Sequence, residues 1–289
     1  MIREDSVRQP YVAGQFYDAD PARLGQMIDQ MYQEAATAGT PANRVRAMIL
    51  PHAGYVYSGP TAVKTAIRAK DGNYRHLVVI APSHSFPLHG IALSRYQAYE
   101  TPLGAFTVNT DNIASLLALG DPLITRFDDA HTYEHALEVE LPILRKIAGG
   151  CDLLPVICGS VDNAEAAEIA ARLLPFWNED TLWVISSDFT HYGRSFRYLP
   201  FSGDIQSNLR RLDMGAVEQI ERLELEGFSA YLEKTGATIC GGNPIKLLLA
   251  VIRASGDTIR PELVEYTTSG ELTGDFSHCV SYAGIVFNA

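Results

Sequence analysis

His52, His84, Asp188 and His191 share one kind of position, a short polar stretch directly behind an apolar run. Met48-Ile49-Leu50 leads into Pro51-His52-Ala53-Gly54-Tyr55, and Leu77-Val78-Val79-Ile80-Ala81 leads into Pro82-Ser83-His84-Ser85. Leu182-Trp183-Val184-Ile185 leads into Ser186-Ser187-Asp188-Phe189-Thr190-His191-Tyr192-Gly193. Two imidazoles and one carboxylate on a common rim suit the facial ligand set of non-haem Fe(II), which leaves positions open for substrate or dioxygen. Asp188 is either that carboxylate or a group that orients an imidazole from behind. His191 is then free as general acid or base, because an unperturbed imidazole titrates at about pH 6.5. Taken singly, each of these residues reads equally well as a hydrogen-bonded structural histidine or a turn aspartate. Their shared placement favours chemistry.

Three further signals bear on the same rim. Cys240, in Ile239-Cys240-Gly241-Gly242-Asn243-Pro244, precedes a helix start whose partial positive charge favours thiolate. A thiolate in the ligand set draws the preference towards soft metals such as Cu(I) or Zn, without excluding iron. His131-Thr132-Tyr133-Glu134-His135 matches H-x-x-E-H, the inverted zincin signature, in which two histidines one turn apart bind zinc and the glutamate is the base. The match is short and His131 falls at a helix start, so a zinc peptidase is the weaker reading, with Glu134 and His135 still candidates to face the rim. Tyr55, Tyr57 and Tyr192 flank the proposed site as aromatic-substrate contacts, proton donors or packing.

The elements that must position these groups follow from periodicity. Strand Val45 to Leu50, helix Thr61 to Lys70 and strand Leu77 to Ala81 read as a βαβ unit, and strand Leu153 to Cys158, helix Asn163 to Leu174 and strand Leu182 to Ser186 as another stretch of the same kind. Ligands of open α/β sheets bind outside the carboxyl ends of the strands, where all three polar stretches fall. Asp20-Pro21 opens a first helix that fades at Gly39-Thr40-Pro41. Short strands are expected at Ile91 to Ser94 and Phe106 to Asn109, and helices over Asp111 to Leu119 and from Tyr133, the latter kinked or delimited by Pro142. Asp204 to Lys234 reads as helical, Asn243-Pro244 opens another helix, and Leu263 to Thr267 and Cys279 to Phe287 read as strands joined by a Gly-containing turn. With no repeat, low-complexity run or linker, the 289 residues are expected to form one α/β domain with a largely parallel central sheet flanked by helices.

Composition narrows the function classes. Hydrophobic residues make up 47% and charged residues 20%, as in ordinary folded proteins. A net charge of -11 with no Lys/Arg run argues against nucleic acid and for small-molecule, metal or peptide partners. The opening Met1-Ile2-Arg3-Glu4-Asp5 leads into no apolar signal segment, and no 18-residue apolar stretch follows, so a cytoplasmic location without membrane contact is expected. Cys151, Cys158, Cys240 and Cys279 form no CxxC pair and no disulfide framework.

Taken in order, these motifs resemble the Memo family, known in bacteria and archaea as protein B of the AmmeMemoRadiSam system. The similarity is carried by Ala13-Gly14-Gln15-Phe16-Tyr17, Pro51-His52-Ala53-Gly54-Tyr55, Ser83-His84, Glu134-His135-Ala136-Leu137-Glu138-Val139-Glu140-Leu141-Pro142, Ser186 to Gly193, Cys240-Gly241 and Val280-Ser281-Tyr282-Ala283-Gly284. The resemblance implies a fold similar to the class III (LigB-like) extradiol dioxygenases, which use non-haem iron to open catechol rings. Carried over by position, it implies His52, His84 and Cys240 as metal ligands, with Asp188 and His191 lining the same cleft. It thus places Cys240 where those dioxygenases have a carboxylate, unlike the choice of Asp188 made above. Copper or iron redox chemistry, an adaptor role in peptide binding and company with a radical-SAM protein are further implications of the family.

Overall fold

The computed structural model describes residues 6–36 and 44–289. The expected opening at Met1 to Asp5 and the fading of the first helix at Gly39-Thr40-Pro41 lie outside the described residues. In chain order the elements are β1 (Val7–Arg8), α1 (Pro21–Ala36), β2 (Val45–Leu50), α2 (Tyr55–Ala66), β3 (His76–Pro82), β4 (Ile91–Leu93), β5 (Ala98–Tyr99), β6 (Phe106–Thr107) and α3 (Thr110–Leu117). There follow β7 (Ile124–Arg126), α4 (Asp128–Thr132), α5 (His135–Ala148), β8 (Asp152–Cys158), α6 (Asn163–Leu173), β9 (Thr181–Ser186) and β10 (His191–Gly193). The chain ends with α7 (Ile205–Glu221), α8 (Leu225–Thr235), α9 (Gly242–Ser255), β11 (Arg260–Thr268), α10 (Ser269–Thr273) and β12 (His278–Asn288).

The central strands β2, β9, β3 and β8 are near-continuous apolar runs because they are parallel and covered on both faces, which leaves no solvent side for a polar alternation. Among the described residues the main sheet runs β11-β12-β2-β9-β3-β8-β4-β7, with β10 paired to the first residues of β12. Antiparallel pairs β12-β2 and β4-β8 bound the parallel centre, so the sheet is mixed but largely parallel at its middle. Helices α1, α2 and α5 pack in one group, and α6, α8 and α9 in another, both against the central strands or their neighbours. The buried strand side chains and these helices share one contiguous core. No described helix is long and apolar enough to cross a membrane.

Several local expectations are corrected. Helix α2 starts at Tyr55 and carries Pro60 inside it, ahead of the expected start at Thr61. The residue four back, Val56, is 70% exposed, so water is at hand for the carbonyl that proline leaves without a donor. Pro142 likewise lies within α5, which continues to Ala148 because Leu141, Ile143 and Leu144 are buried around it. The Asp204 to Lys234 stretch divides at the left-handed Leu223, and a short helix, α10, stands where a simple turn was expected between β11 and β12. His191 is the first residue of β10, opposite Val280, instead of a loop residue.

Candidate metal centre

Because β2, β9 and β3 are consecutive in the sheet, the residues just beyond their carboxyl ends meet. These are His52, Asp188 and His84. The backbone N–H of His52 donates to Asp188 Oδ1 at 2.8 Å, tying the first loop to the second. The fourth side is closed by the start of α5, where His135 is the first helical residue and Glu134 the N-cap. One ring nitrogen from each of His52, His84 and His135 lies within 4.8 Å of the others. The rings of His84 and His135 stack at 4.8 Å between centroids, and His52 stands edge-on to both.

Two of the three imidazoles, His84 and His52, are oriented from behind. His84 Nδ1 lies 2.8 Å from Glu134 Oε1, and the His84 backbone N–H donates to Glu134 Oε2. The same carboxylate accepts from the Ala136 backbone N–H as the cap of α5. Burial pushes the Glu134 carboxyl up, but these donors outweigh it and hold the group below the usual carboxylate range. His52 Nδ1 lies 2.7 Å from Ser186 Oγ, and its Nε2 lies 3.3 Å from Cys240 Sγ. Burial, reinforced by the neighbouring histidines, keeps His52 neutral, its pKa well below the ordinary value. Burial likewise lowers His135 to about 4, against the opposing pull of Glu134. Three converging imidazoles, with oxygen partners already on Nδ1 of two of them, are a donor set that suits a divalent transition metal.

Around this cluster the groups differ in role. Asp188 is buried, and burial raises its pKa to about 7, with the His52 N–H pulling the other way. His191 places Nδ1 3.0 Å from Thr238 O, so Nδ1–H donates there and Nε2 is the nitrogen left for proton transfer. At Cys240 the surroundings oppose the thiolate expected from its place before a helix. Its burial, with the nearby Asp188 charge, pushes the thiol well up, while Sγ accepts from the Asp188 N–H at 3.2 Å.

The cleft over these groups has a volume of about 530 Å³ and is lined by Phe16, Tyr57, Phe196 and Tyr282 as well as the histidines and Asp188. Tyr57 stands at its mouth, 41% exposed. Two expected cleft residues belong elsewhere. Tyr55 is buried with its hydroxyl on Val139 O, and Tyr192 stacks on Phe201 with its hydroxyl on Phe201 O. Nor do His131 and His135 form a zincin pair. His131 is in α4, 1% exposed, accepting from Tyr99 Oη at Nδ1 and donating from Nε2 to Ala92 O, whereas His135 begins α5. Phe16 and Tyr282 sit in sequence runs singled out above, but nothing in their spacing marks them as cleft walls.

Fold and site together define an α/β protein built around a histidine-lined cleft on the carboxyl rim of its parallel strands. A family profile described as Memo-like protein matches residues 8–286, and the chain belongs to that family. A MEMO1 family protein of Archaeoglobus fulgidus is 33% identical over 285 residues, covering 97% of this chain and 99% of the relative. One from Methanothermobacter thermautotrophicus is 31% identical, covering 96% and 99% respectively, and the protein memo-1 homolog of Caenorhabditis elegans is 31% identical, covering 95% and 81%. Among solved structures, an uncharacterized protein from Escherichia coli K12 is similar at 17% identity and a TM-score of 0.49, covering 83% of this chain and 98% of that one.

Proposed function

We propose that the protein is a metal-binding oxidoreductase of a small molecule, with one transition-metal ion held by His52, His84 and His135 and with Cys240 and Asp188 beside it. The observation that carries this reading is the convergence of three ring nitrogens, two of them on rings whose Nδ1 is held by a buried oxygen. Imidazole donors suit iron, copper and zinc alike, and the adjacent Cys240 sulfur is a soft group that draws the preference towards Cu(I) or zinc without excluding iron. When bound, the metal would supply Lewis acidity and, for iron or copper, one-electron chemistry. The chain's own groups divide the remaining work. The aromatic walls bind and exclude water, while Asp188 and His191 hold or move a proton at the carboxylate and at Nε2.

Metal content of protein purified anaerobically without an affinity tag tests the reading, comparing wild type with His52→Ala, His135→Ala and Cys240→Ala. Near-stoichiometric iron or copper that the histidine variants lose is expected. Wild-type protein that stays metal-free after reconstitution would sink it. The second reading is a binding module, supported by the four aromatic walls of the cleft. It predicts that His52→Ala abolishes ligand binding in protein that carries no metal.

A further inference from the structure

The least explained buried group lies behind the cleft. Glu140, in the second turn of α5, is fully buried, and its Oε2 has no hydrogen-bond partner among the described residues. Its other oxygen, Oε1, lies 2.9 Å from Ser186 Oγ. The same hydroxyl lies 2.7 Å from Ala136 O and 2.7 Å from His52 Nδ1.

The proton count at this junction is constrained. Ala136 O can only accept, and a serine hydroxyl has a single proton to donate. With that proton on Ala136 O, the remaining contacts close only if both His52 and Glu140 donate into the Ser186 lone pairs. His52 then carries its proton on Nδ1, and Glu140 is a neutral carboxyl with Oε1–H directed at Ser186. Burial also pushes the Glu140 carboxyl well above the usual range, outweighing the opposing pull of the Ser186 contact, and the nearby Asp188 charge pushes the same way as burial. An ionised carboxylate with one oxygen unpartnered in the core would be far costlier than a neutral one.

We infer that Glu140 is a positioning residue which, through Ser186 Oγ, locks His52 in the Nδ1–H tautomer and so turns an unprotonated Nε2 towards the cleft, beside Cys240 Sγ. This rests on the reading of His52 as a metal ligand for its purpose, but not for its geometry. The arrangement differs from the one behind His84, where a charged carboxylate touches the ring directly. At His52 a hydroxyl is interposed, and the acid behind it is a donor.

The test uses the full chain and the variants Glu140→Leu, Glu140→Gln and Ser186→Ala. Nitrogen-15 NMR of the histidine rings in metal-free protein reads the His52 tautomer, and Co(II) titration reads affinity. In wild type, His52 should be a single Nδ1–H species. Glu140→Leu and Ser186→Ala should mix the tautomers and weaken Co(II) binding about 10- to 100-fold, as losses behind a ligand usually do. Glu140→Gln, whose amide still donates to Ser186, should keep the tautomer and stay near wild-type affinity. An unmixed Nδ1–H tautomer in all three variants, or a wild-type His52 protonated on Nε2, would overturn the inference. Wild-type protein that binds no Co(II) would defeat the metal reading alone, since the tautomer measurement still decides the role of Glu140.

Discussion

Glu134 holds His84 at two points, with Oε1 2.8 Å from the ring Nδ1 and Oε2 2.6 Å from the backbone nitrogen. The loop behind β3 and the start of α5 are therefore one unit, because the residue that orients an imidazole also caps the helix carrying the next one.

Glu134→Ala removes both functions. The lost cap should lower stability by about 1 kcal/mol. Freed from its partner, His84 should bind Co(II) about 10- to 100-fold more weakly. Calorimetric titration beside a urea melt separates the two effects, and unchanged affinity in the folded variant would show that Glu134 serves the helix alone.

His131 contributes to the acid sensitivity of the fold. Burial lowers its pKa to about 4, so the fold binds its neutral form and the unfolded chain takes up the proton first. Its contribution is present in full above about pH 6.5 and is lost as pH falls from there towards about 4. At pH 5 the loss should be about 2 kcal/mol, by the same linkage. Urea unfolding at pH 7 and pH 5 should show a smaller difference in His131→Asn than in wild type. Equal differences would assign the acid sensitivity to other groups.

Arg8 fastens the N-terminal segment to the corner between α4 and α5. It pairs with buried Glu138 and donates to the carbonyls of His131, Thr132 and Glu134. Arg8→Ala leaves Glu138 charged in the core, where breaking one side of a buried pair is destabilising by about 3–5 kcal/mol. A denaturation midpoint close to wild type would mean that Glu138 is already satisfied by Tyr17 and the Tyr11 and Val12 amides.

Gly241 has room for no side chain. A Cβ there would lie 2.3 Å from Ser187 Cβ and 2.7 Å from Ser186 O, so Gly241→Ala must displace either the Cys240 turn or the end of β9. A stability loss of about 1–3 kcal/mol is expected from such overpacking. The melting curve and the Co(II) titration should move together, and a variant with wild-type values in both would show that the turn relaxes freely.

Much of this was legible from residue order because the central strands are parallel and doubly covered, giving long apolar runs whose ends are plain. Polar residues just past three such ends had to fall on one rim, and His52, His84 and Asp188 do. Spacing could not show which imidazole stands third. His135 reaches the cluster through the placement of α5, whereas Cys240 sits beside His52 on the Asp188 side, a distinction made by tertiary packing. The H-x-x-E-H run was the weaker reading from the sequence, and its histidines are not a pair because Tyr133 and Glu134 break the helix between them. The thiolate expectation for Cys240 gave too much weight to the helix terminus and too little to burial. Glu140 reads as one more inner-face position of α5 until its oxygens are traced.

The strand order β2-β9-β3 also bears on how the chain reaches this state. The two strands of the first βαβ unit are never neighbours, because β9, made about a hundred residues later, must lie between them. Until it arrives, β2 and β3 can pair only wrongly or wait with open edges, and closing such distant contacts is slow. Ser186 and Asp188 come with that late strand, so His52 acquires its orientation only when the insertion is complete. Metal uptake during biosynthesis would therefore report that the sheet has closed.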